Sequence, residues 1–478
     1  MQTETPNSET NTVIAGEQES APLQLPDFSL PPNNRPTALQ SIGNNVARIL
    51  KSQTTRIAGT VTDIDRTHYI VSGFGSNARL GDLVLLKDGE NEAEGEVIRL
   101  QPDRATIKPY GPIEFTRLGD RAWLSGQIEV RPTLAWKGRT VNALAQPIDG
   151  GGELPQGDAS YTRDRAPPPP LELEKVSEPL TTGVRAIDLF TPLCSGQRIG
   201  VFAGSGVGKS SLLAMLSQGK NFDSVVLGLV GERGREVRHF LDDVFGSHKD
   251  RTTAVVASGA ESAMLRRLAP YTAMCIAEYL RDQGERVLLV LDSLTRFAHA
   301  SREVGLAAGE PPVSRGYPPS VFSDLPRLLE RAGAGQNGQG SITGIFSVLI
   351  DGDDHNDPVA DSIRGILDGH VVLDREIADQ GRYPAINMLS SISRLATHCW
   401  TDAQRDLITR LKSLISRFED SRDLRAVGAY QPGTDLELDD AVRIVPKVYE
   451  ALKQRPGEPI ADDAFAELAK RLSPQQEK

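Results

Sequence analysis

The sequence has few cysteines and no long hydrophobic run. Its three cysteines, Cys194, Cys275 and Cys399, are far apart, which argues against a disulfide framework and fits a reducing cytosol. No apolar run reaches the roughly 18 residues that would indicate a membrane span. No Lys or Arg precedes Arg35, and the N-terminal segment lacks the apolar stretch of a signal peptide. We therefore expect no secretory signal.

An excess of positive charge is also absent. The chain has 53 basic and 64 acidic residues and a formal net charge of −11. General binders of nucleic acid or of anionic membranes usually have a basic excess. We therefore expect no nucleic-acid partner. The 478 residues are enough for two or three domains, and 39% hydrophobic and 24% charged residues are ordinary values for a globular protein.

Changes in composition and periodicity divide the N-terminal part of the chain. Residues 1–35 are polar, which predicts a disordered tail, and residues 36–53 have apolar side chains at helical spacing. Such a helix packs on its own domain or docks a partner, and the pattern fits both. Short β-prone runs between Gly and Asp turns predict a small β-barrel or sandwich over 54–130. The glycines and prolines that follow predict a junction and linker over 131–170.

The rest of the chain has two patterns. From 171 to 400, compact apolar runs alternate with helical stretches, which predicts a mostly parallel sheet covered by helices on both faces. From 401 to 478 the pattern is helical. One apolar stripe runs along its first helix and is formed by Leu407, Ile408, Leu411, Leu414, Ile415 and Phe418. We therefore predict an α/β core followed by a C-terminal helical domain.

A phosphate-binding loop follows the first core strand, at 199–202, and opens a helix that includes Ser211. Its residues are Ala203, Gly204, Ser205, Gly206, Val207, Gly208, Lys209 and Ser210, a P-loop with Ala in place of the usual first Gly. The glycines let backbone N–H groups face phosphates, and the helix N-terminus favours an anion. Lys209 supplies charge for the β- and γ-phosphates, and Ser210 can bind Mg²⁺. The sequence thus predicts a nucleotide site.

Two carboxylates follow other core strands. The apolar run 287–291 ends in Asp292, which fits an acid that holds Mg²⁺ through water. Glu232 comes directly after the run 225–230, a strand that we expect beside the P-loop strand and ending at the same sheet edge. Glu232 is a candidate for polarising the attacking water. The spacing alone is equally compatible with a solvated turn.

With these motifs the chain resembles the catalytic subunits of the rotary ATPase superfamily, most closely the flagellum-specific, type III export ATPases. The resemblance covers residue 54 to the C-terminus. Five segments carry the resemblance. They are the barrel-to-core junction at 138–150, the approach to the P-loop at 182–198, and three segments typical of the export branch at 302–322, 352–370 and 428–442. It implies a P-loop (RecA-like) core between an N-terminal small β-barrel and a C-terminal helical domain.

The resemblance also assigns roles to residues. It implies that Glu232 is the catalytic carboxylate, that Arg233 approaches the γ-phosphate and that Tyr383 stacks on adenine. Arg394 looks like the arginine finger that one subunit offers to its neighbour's nucleotide, which would tie turnover to assembly. A core tyrosine is the alternative for Tyr383.

The implied function is Mg-ATP hydrolysis that drives chaperone release and the unfolding and export of flagellar proteins. The expected assembly is a cytoplasmic homohexamer that is peripherally associated with the inner membrane at the flagellar base. The expected partners are a stator-like regulator, a central stalk protein, export chaperones with their cargo and the export gate. Alternatives are a virulence-type secretion ATPase, a rotary ATP synthase catalytic subunit, a non-catalytic nucleotide-binding subunit and an RNA translocase.

Overall fold

A computed structural model describes most of the chain. The described residues are 57–88, 91–113, 116–169, 171–176, 178–336, 338–350 and 357–472. The predicted tail at 1–35 and the predicted helix at 36–53 lie outside them, as does part of the motif at 352–370.

The first described domain is a closed antiparallel barrel. Its strands are β1 (Ala58–Ile64), β2 (Tyr69–Ser72), β3 (Leu83–Asp88), β4 (Asn91–Gln101), β5 (Arg104–Pro109) and β6 (Arg121–Gly126). They are joined in the order β1-β2-β5-β4-β3-β6, and β6 pairs with β1 to close the barrel. Alternate side chains, among them Val61, Val71 and Ile107, fill the interior. The predicted barrel is confirmed, although the sequence did not indicate β6 as a strand.

The elements after the barrel alternate between strands and helices. In chain order they are β7 (Glu129–Val130), β8 (Thr140–Asn142), β9 (Tyr161–Thr162), β10 (Pro179–Leu180), α1 (Arg185–Phe190), β11 (Leu193–Cys194), β12 (Arg198–Ala203), α2 (Lys209–Ser217), β13 (Ser224–Val230), α3 (Gly234–His248), β14 (Thr252–Ala257), α4 (Ala263–Asp282), β15 (Arg286–Asp292), α5 (Leu294–Ala307), α6 (Pro319–Leu329), β16 (Gly333–Ala334), β17 (Ser341–Leu349), α7 (Pro358–Ile366), β18 (Gly369–Leu373), α8 (Arg375–Asp379), β19 (Ile392–Ser393) and α9 (Ala396–Cys399). The C-terminal helices are α10 (Asp402–Asp420), α11 (Arg422–Ala426), α12 (Leu436–Leu452) and α13 (Ala464–Leu472).

The central sheet has the strand order β19-β18-β12-β17-β15-β13-β14-β8, with β16 beside β17. All pairings from β18 to β8 are parallel, whereas β16 and β19 pair antiparallel. This sheet confirms the predicted mostly parallel α/β core. One expectation was wrong: β13, which precedes Glu232, is not beside the P-loop strand β12. The later strands β15 and β17 insert between them, and spacing along the chain does not report that order.

Apolar layers cover both faces of the sheet. Along β15, Leu289 and Leu291 belong to one layer and Leu288 and Val290 to the other, because successive side chains of a strand point to opposite faces. Helices α4 to α7 cover the first face. Helices α1 to α3 cover the second, together with α10, α12 and α13. The C-terminal helices therefore share an apolar core with the P-loop helix.

The predicted stripe on α10 is partly confirmed. Ile408, Leu411, Leu414 and Ile415 are buried against the core, whereas Leu407 is 44% exposed. This narrow apolar stripe is enough to hold α10 against the core, because α12 also packs against the same helix. Within the described ranges, each helix is too short or too polar to span a bilayer.

The stretch expected as junction and linker contributes to the core. β8 adds to the sheet edge in parallel with β14. The indole of Trp136 is 1% exposed and donates to the carbonyl of Pro155 at 2.8 Å. The Tyr161 hydroxyl donates to Asp282 at 3.0 Å. The domain boundaries proposed from the sequence remain a prediction.

A buried ion pair connects helix α4 to the turn after α6. The Arg331 guanidinium donates from Nε to Glu278 Oε1 at 2.9 Å and from Nη2 to Oε2 at 2.8 Å. Each side chain is 1% exposed. A third nitrogen of Arg331 donates to the Arg163 carbonyl at 2.6 Å. Removing one partner would leave the other charge buried without its bidentate contact, which is costly in a low-dielectric interior.

We expect Arg331→Met to lower the free energy of unfolding by about 3 kcal/mol. Arg238→Met is the matched control, because Arg238 pairs with Asp242 on the surface and its side chain is 80% exposed. That substitution should change the same free energy by less than about 0.5 kcal/mol. Urea unfolding followed by circular dichroism measures both. Equal effects of the two substitutions would contradict the importance of the buried pair.

Candidate active site

The P-loop lies at the carboxyl end of β12 and leads into α2. Gly206 and Gly208 have φ values of +79° and +92°, which glycine adopts without strain. Gly208 is the residue before α2, and its carbonyl accepts the first helical hydrogen bond, from Leu212. Ser210 and Ser211 lie exposed in the first turn of that helix. The loop therefore presents backbone and hydroxyl groups at a helix N-terminus that favours phosphate.

Lys209 is the centre of a buried charged cluster. Its ammonium donates to Asp292 Oδ1, at the end of β15, and to Glu232 Oε1 at 3.4 Å. The side chains of Lys209, Glu232 and Asp292 are 10%, 15% and 5% exposed. The carboxyl ends of parallel strands lie along one edge of the sheet. Glu232 and Asp292, which are 23 and 83 residues from Lys209 in the sequence, therefore meet it there. The structure thus brings together three of the predicted site residues.

Ser347 adds to this cluster and was not predicted. It lies on β17 between β12 and β15, is fully buried, and its hydroxyl donates to Asp292 Oδ1 at 2.5 Å. Lys209 and Ser347 together fix the Asp292 carboxylate. The only sequence signal was a lone hydroxyl in an otherwise apolar stretch of strand, which has many structural uses.

The turn that carries Glu232 is held in place by its own backbone. Gly231 has a φ of +71°, and a Cβ there would meet the Arg296 side chain at 3.0 Å. The Gly231 amide donates to Ala257 and the Glu232 carbonyl accepts from Gly259 at 2.9 Å. Glu232 is therefore fixed at the end of β13.

Burial raises the pKa of Glu232 above its ordinary value. The Lys209 ammonium opposes this rise, and the Asp292 carboxylate adds to it. A carboxylate with a raised pKa accepts a proton more readily, as a group that interacts with an attacking water must. The cluster thus combines the P-loop ammonium with a carboxylate of raised pKa.

Ser210 and Asp292 provide oxygen donors suited to Mg²⁺. Mg²⁺ in nucleotide sites is bound by one or two such groups together with phosphates and waters. The chemistry of the pair therefore fits the metal predicted from the sequence. Within the part of the chain that the structure describes, no cluster of three or more His, Cys, Asp or Glu side chains offers a protein-only metal site.

Tyr383 lies against the P-loop. A Cβ at Gly208 would be 3.4 Å from two ring atoms of Tyr383, and the tyrosine is 46% exposed. Its backbone carbonyl accepts from the Gln454 amide at 2.9 Å, which links it to the end of α12. A core tyrosine would be buried. The exposed ring beside the loop has a face available for a flat ligand.

Arg394 lies far from the P-loop of its own chain. Its amide donates to the Asp368 carbonyl at 2.9 Å, at the start of β18, whereas Leu373 at the end of that strand is level with Ala203. Five strand residues separate the two levels, which is about 16 Å. The Arg394 side chain is exposed. Arg394 therefore lies near the amino ends of the parallel strands, whereas Lys209 lies near their carboxyl ends.

Arg233 is not drawn into the charged cluster. It precedes α3, its side chain is 84% exposed, and it pairs with Glu236 Oε1 at 3.2 Å. Another arginine, which the sequence did not single out, contacts the loop: Arg375 Nη2 donates to the Ser205 carbonyl at 3.1 Å. Arginines are common in this sequence, so only the fold distinguishes Arg375 from the others.

Comparison with known families and proteins agrees with this geometry. Residues 183–393 match the nucleotide-binding domain of the ATP synthase alpha/beta family. Residues 400–470 match the C-terminal domain of the type III secretion ATPase EscN. A flagellum-specific ATP synthase of Rhizobium meliloti strain 1021 is 56% identical over 414 residues, which are 87% of this chain and 89% of the relative.

The chain belongs to the flagellar and type III secretion ATPases of the ATP synthase alpha/beta family.

Solved structures of this ATPase family have the same fold. Assembled EscN from enteropathogenic E. coli superposes with a TM-score of 0.80 at 38% identity, covering 86% of this chain and 99% of EscN. EscN in complex with its central stalk EscO superposes with a TM-score of 0.78 at 37% identity and the same coverage. The protein is an ATP-hydrolysing enzyme of the type III export class.

We expect Ser347→Ala to lower the ATPase kcat about tenfold, because the Asp292 carboxylate loses one of the two groups that fix it. The matched control is Ser217→Ala. Ser217 is equally buried, but its hydroxyl donates to the Leu213 carbonyl within α2. Steady-state ATPase assays across a range of Mg²⁺ concentrations measure the effect. An unchanged kcat in Ser347→Ala, or an equal loss in Ser217→Ala, would contradict the assigned role of Ser347.

Proposed function

We propose that the chain is the ATPase of a flagellar protein export apparatus and that its active sites are shared between neighbouring subunits of a homohexameric ring. The supporting observation is the position of Arg394. The P-loop cluster contains Lys209, Glu232 and Asp292, while the exposed Arg394 is about 16 Å away along the strand direction. An arginine there reaches a nucleotide only from a neighbouring subunit.

The reaction is in-line attack of water on the γ-phosphate of ATP. The nucleotide phosphates compete for the Lys209 ammonium, which in the structure contacts Glu232 at 3.4 Å. As Lys209 moves to phosphate, Glu232 becomes available to orient the attacking water. Arg233 turns from Glu236 toward the γ-phosphate, and Arg394 of the next subunit neutralises charge in the transition state.

Ser210 would hold Mg²⁺ directly, and Asp292 would hold it through water. The metal would supply positive charge to the β- and γ-phosphates. The Asp292 carboxylate keeps its position through Ser347, whose hydroxyl remains bonded when Lys209 leaves. Tyr383 stacks on adenine with its exposed ring face.

The solved relatives support a ring with a central stalk. EscN is described as an assembled ATPase and in complex with a central stalk. We extend both features to this protein. From the resemblance of its motifs to the export ATPases, we further propose that the ring acts in the cytoplasm at the inner membrane beneath the export gate, with a stator-like regulator and chaperones that deliver cargo. The flagellar role is favoured because identity is 56% to the flagellar relative and 38% to EscN.

The competing functions are less well supported. A non-catalytic nucleotide-binding subunit has no use for a basic carboxylate beside the P-loop lysine, which Glu232 provides. An energy-converting ATP synthase subunit would have another C-terminal domain than the EscN type found at 400–470. The net charge of −11 argues against an RNA translocase, and RNA stimulation of the ATPase would reveal one.

We expect the ATPase rate per subunit to be low at low protein concentration and to rise cooperatively as the ring assembles. Glu232→Gln and Arg394→Ala should each reduce the rate at least about 100-fold. A mixture of the two variants should recover part of the activity, because some interfaces then combine an intact Glu232 with an intact neighbouring Arg394. A concentration series of parent, variants and mixture measures this.

Two results would contradict the shared site. A rate per subunit that does not depend on concentration, with no recovery in the mixture, would place Arg394 outside catalysis. Full activity in Glu232→Gln would require another group to orient the water.

We expect Tyr383→Ala to raise the KM for ATP about tenfold, because stacking on an aromatic ring contributes about 1–3 kcal/mol per base. Tyr383→Phe keeps the ring face and is the matched control, with a KM close to that of the parent. Steady-state kinetics and binding of a fluorescent ATP analogue measure both. Equal losses in the two variants would show that the hydroxyl, and not the ring, matters.

A further inference from the structure

Cys194 and Cys399 meet in space although 205 residues separate them in the chain. Cys194 ends β11, shortly before the P-loop strand, and Cys399 ends α9. Their sulfur atoms are 3.1 Å apart. A disulfide bond is about 2.05 Å long, so the two sulfurs need to approach by only about 1 Å to be joined.

The backbone around the pair holds both cysteines in place. Cys399 Sγ lies 3.4 Å from the Leu193 carbonyl oxygen. The Cys194 amide donates to Gln197 Oε1 at 2.9 Å, and the same Gln197 donates from Nε2 to Ser393 Oγ at 3.1 Å. The segment β11 to Gln197 therefore contacts the chain on both sides of Arg394, at Ser393 and at Cys399.

The two sulfurs differ in accessibility and acidity. Cys194 is fully buried, whereas Cys399 is partly exposed. The contact with Cys399 lowers the pKa of Cys194, although burial opposes the change, and the same contact together with burial raises the pKa of Cys399. Thiolate character and access both favour oxidation of a cysteine, and here they are divided between the two sulfurs.

The third cysteine provides an internal contrast. Cys275 is 1% exposed, lies in α4, and contacts the Thr162 carbonyl and Arg331 at 3.5 Å. Burial raises its pKa to about 11. It is buried and its thiol is less acidic than an ordinary one, so it should stay reduced.

We propose that Cys194 and Cys399 are a reversible redox-modification site, in which a peroxide joins them as a disulfide and thereby restrains the segment that carries Arg394. Cysteine pairs of this kind in the cytosol are typically transient and regulatory. The effect on turnover rests on the proposed role of Arg394, whereas the formation of the disulfide does not.

The chemistry balances with peroxide as the oxidant. One thiol of the pair is oxidised to a sulfenic acid, and the peroxide is reduced and releases one water. The second thiol attacks the sulfenic sulfur, the S–S bond forms, and the second water leaves with the former sulfenic oxygen. The pair has then lost two electrons and two protons. A dithiol such as dithiothreitol returns both and restores the two thiols.

The expected consequence is slower turnover with little change in ATP binding. Arg394 lies five residues before Cys399. The disulfide to Cys194 therefore links the arginine covalently to β11 through a short segment, the tether. An arginine that serves a neighbouring nucleotide must approach and withdraw in each cycle, and a fixed segment hinders that motion. The P-loop and Tyr383 are not part of the tether. kcat should therefore fall about threefold or more, while the KM for ATP stays within about twofold.

The first experiment tests the disulfide alone. Full-length parent, Cys275→Ala and Cys399→Ala are treated with hydrogen peroxide, and the remaining thiols are alkylated before non-reducing peptide mass spectrometry. We expect one peptide containing Cys194 linked to Cys399, with two thiols lost per chain, in the parent and in Cys275→Ala. Cys399→Ala should give no linked peptide. Three thiols retained in the parent, or a link that involves Cys275, would overturn the proposal.

The second experiment tests the effect on turnover. The ATPase of the parent and of Cys275→Ala should fall on oxidation and recover with dithiothreitol, whereas Cys399→Ala and Cys399→Ser should be insensitive to peroxide. A disulfide that forms without changing kcat would refute the regulatory role and leave the modification site. The reduced parent reports the proposed function independently, since absent ATPase activity in that sample would count against the enzyme and not against the cysteine pair.

Discussion

The contact of one lysine with two carboxylates at the sheet edge is the interaction on which the site depends. Lys209 donates to Asp292 and to Glu232, and all three side chains are largely buried. Burying three charges is costly unless they compensate one another. The sheet, the P-loop turn and the Gly231 turn bring them together.

The two ends of the central strands carry different candidate site residues. The carboxyl ends of β12, β15 and β13 form the nucleotide site, as expected for an open α/β sheet. Arg394 follows β19 at the level where β18 begins, close to the other edge. In the proposed ring, each Arg394 would serve the nucleotide site of a neighbouring chain, and assembly would then be a condition for turnover.

Much of the fold was predictable from local pattern. Barrel strands β1 to β5, the core strands β12, β13, β14, β15 and β17, and most of the α10 stripe follow from side-chain patterning, which reports on the immediate environment of each element. The expected neighbour of β12 was wrong, because strand order depends on packing between distant segments. Strands β6, β8 and β18 were not predicted either. β8 is three residues long, too short for a periodic signal, and it is held by its pairing with β14.

The P-loop was recognisable in the sequence, because phosphate binding needs glycines and a lysine at a short, fixed spacing. Asp292 and Glu232 were candidates because each follows an apolar run, and the role of Glu232 came from the resemblance. Tertiary structure alone decided three other features. Ser347 contacts Asp292, Tyr383 lies on Gly208, and Cys194 meets Cys399 across 205 residues. Each of these contacts joins segments that the chain brings together only when the sheet and its helices pack, and no local pattern records such distances.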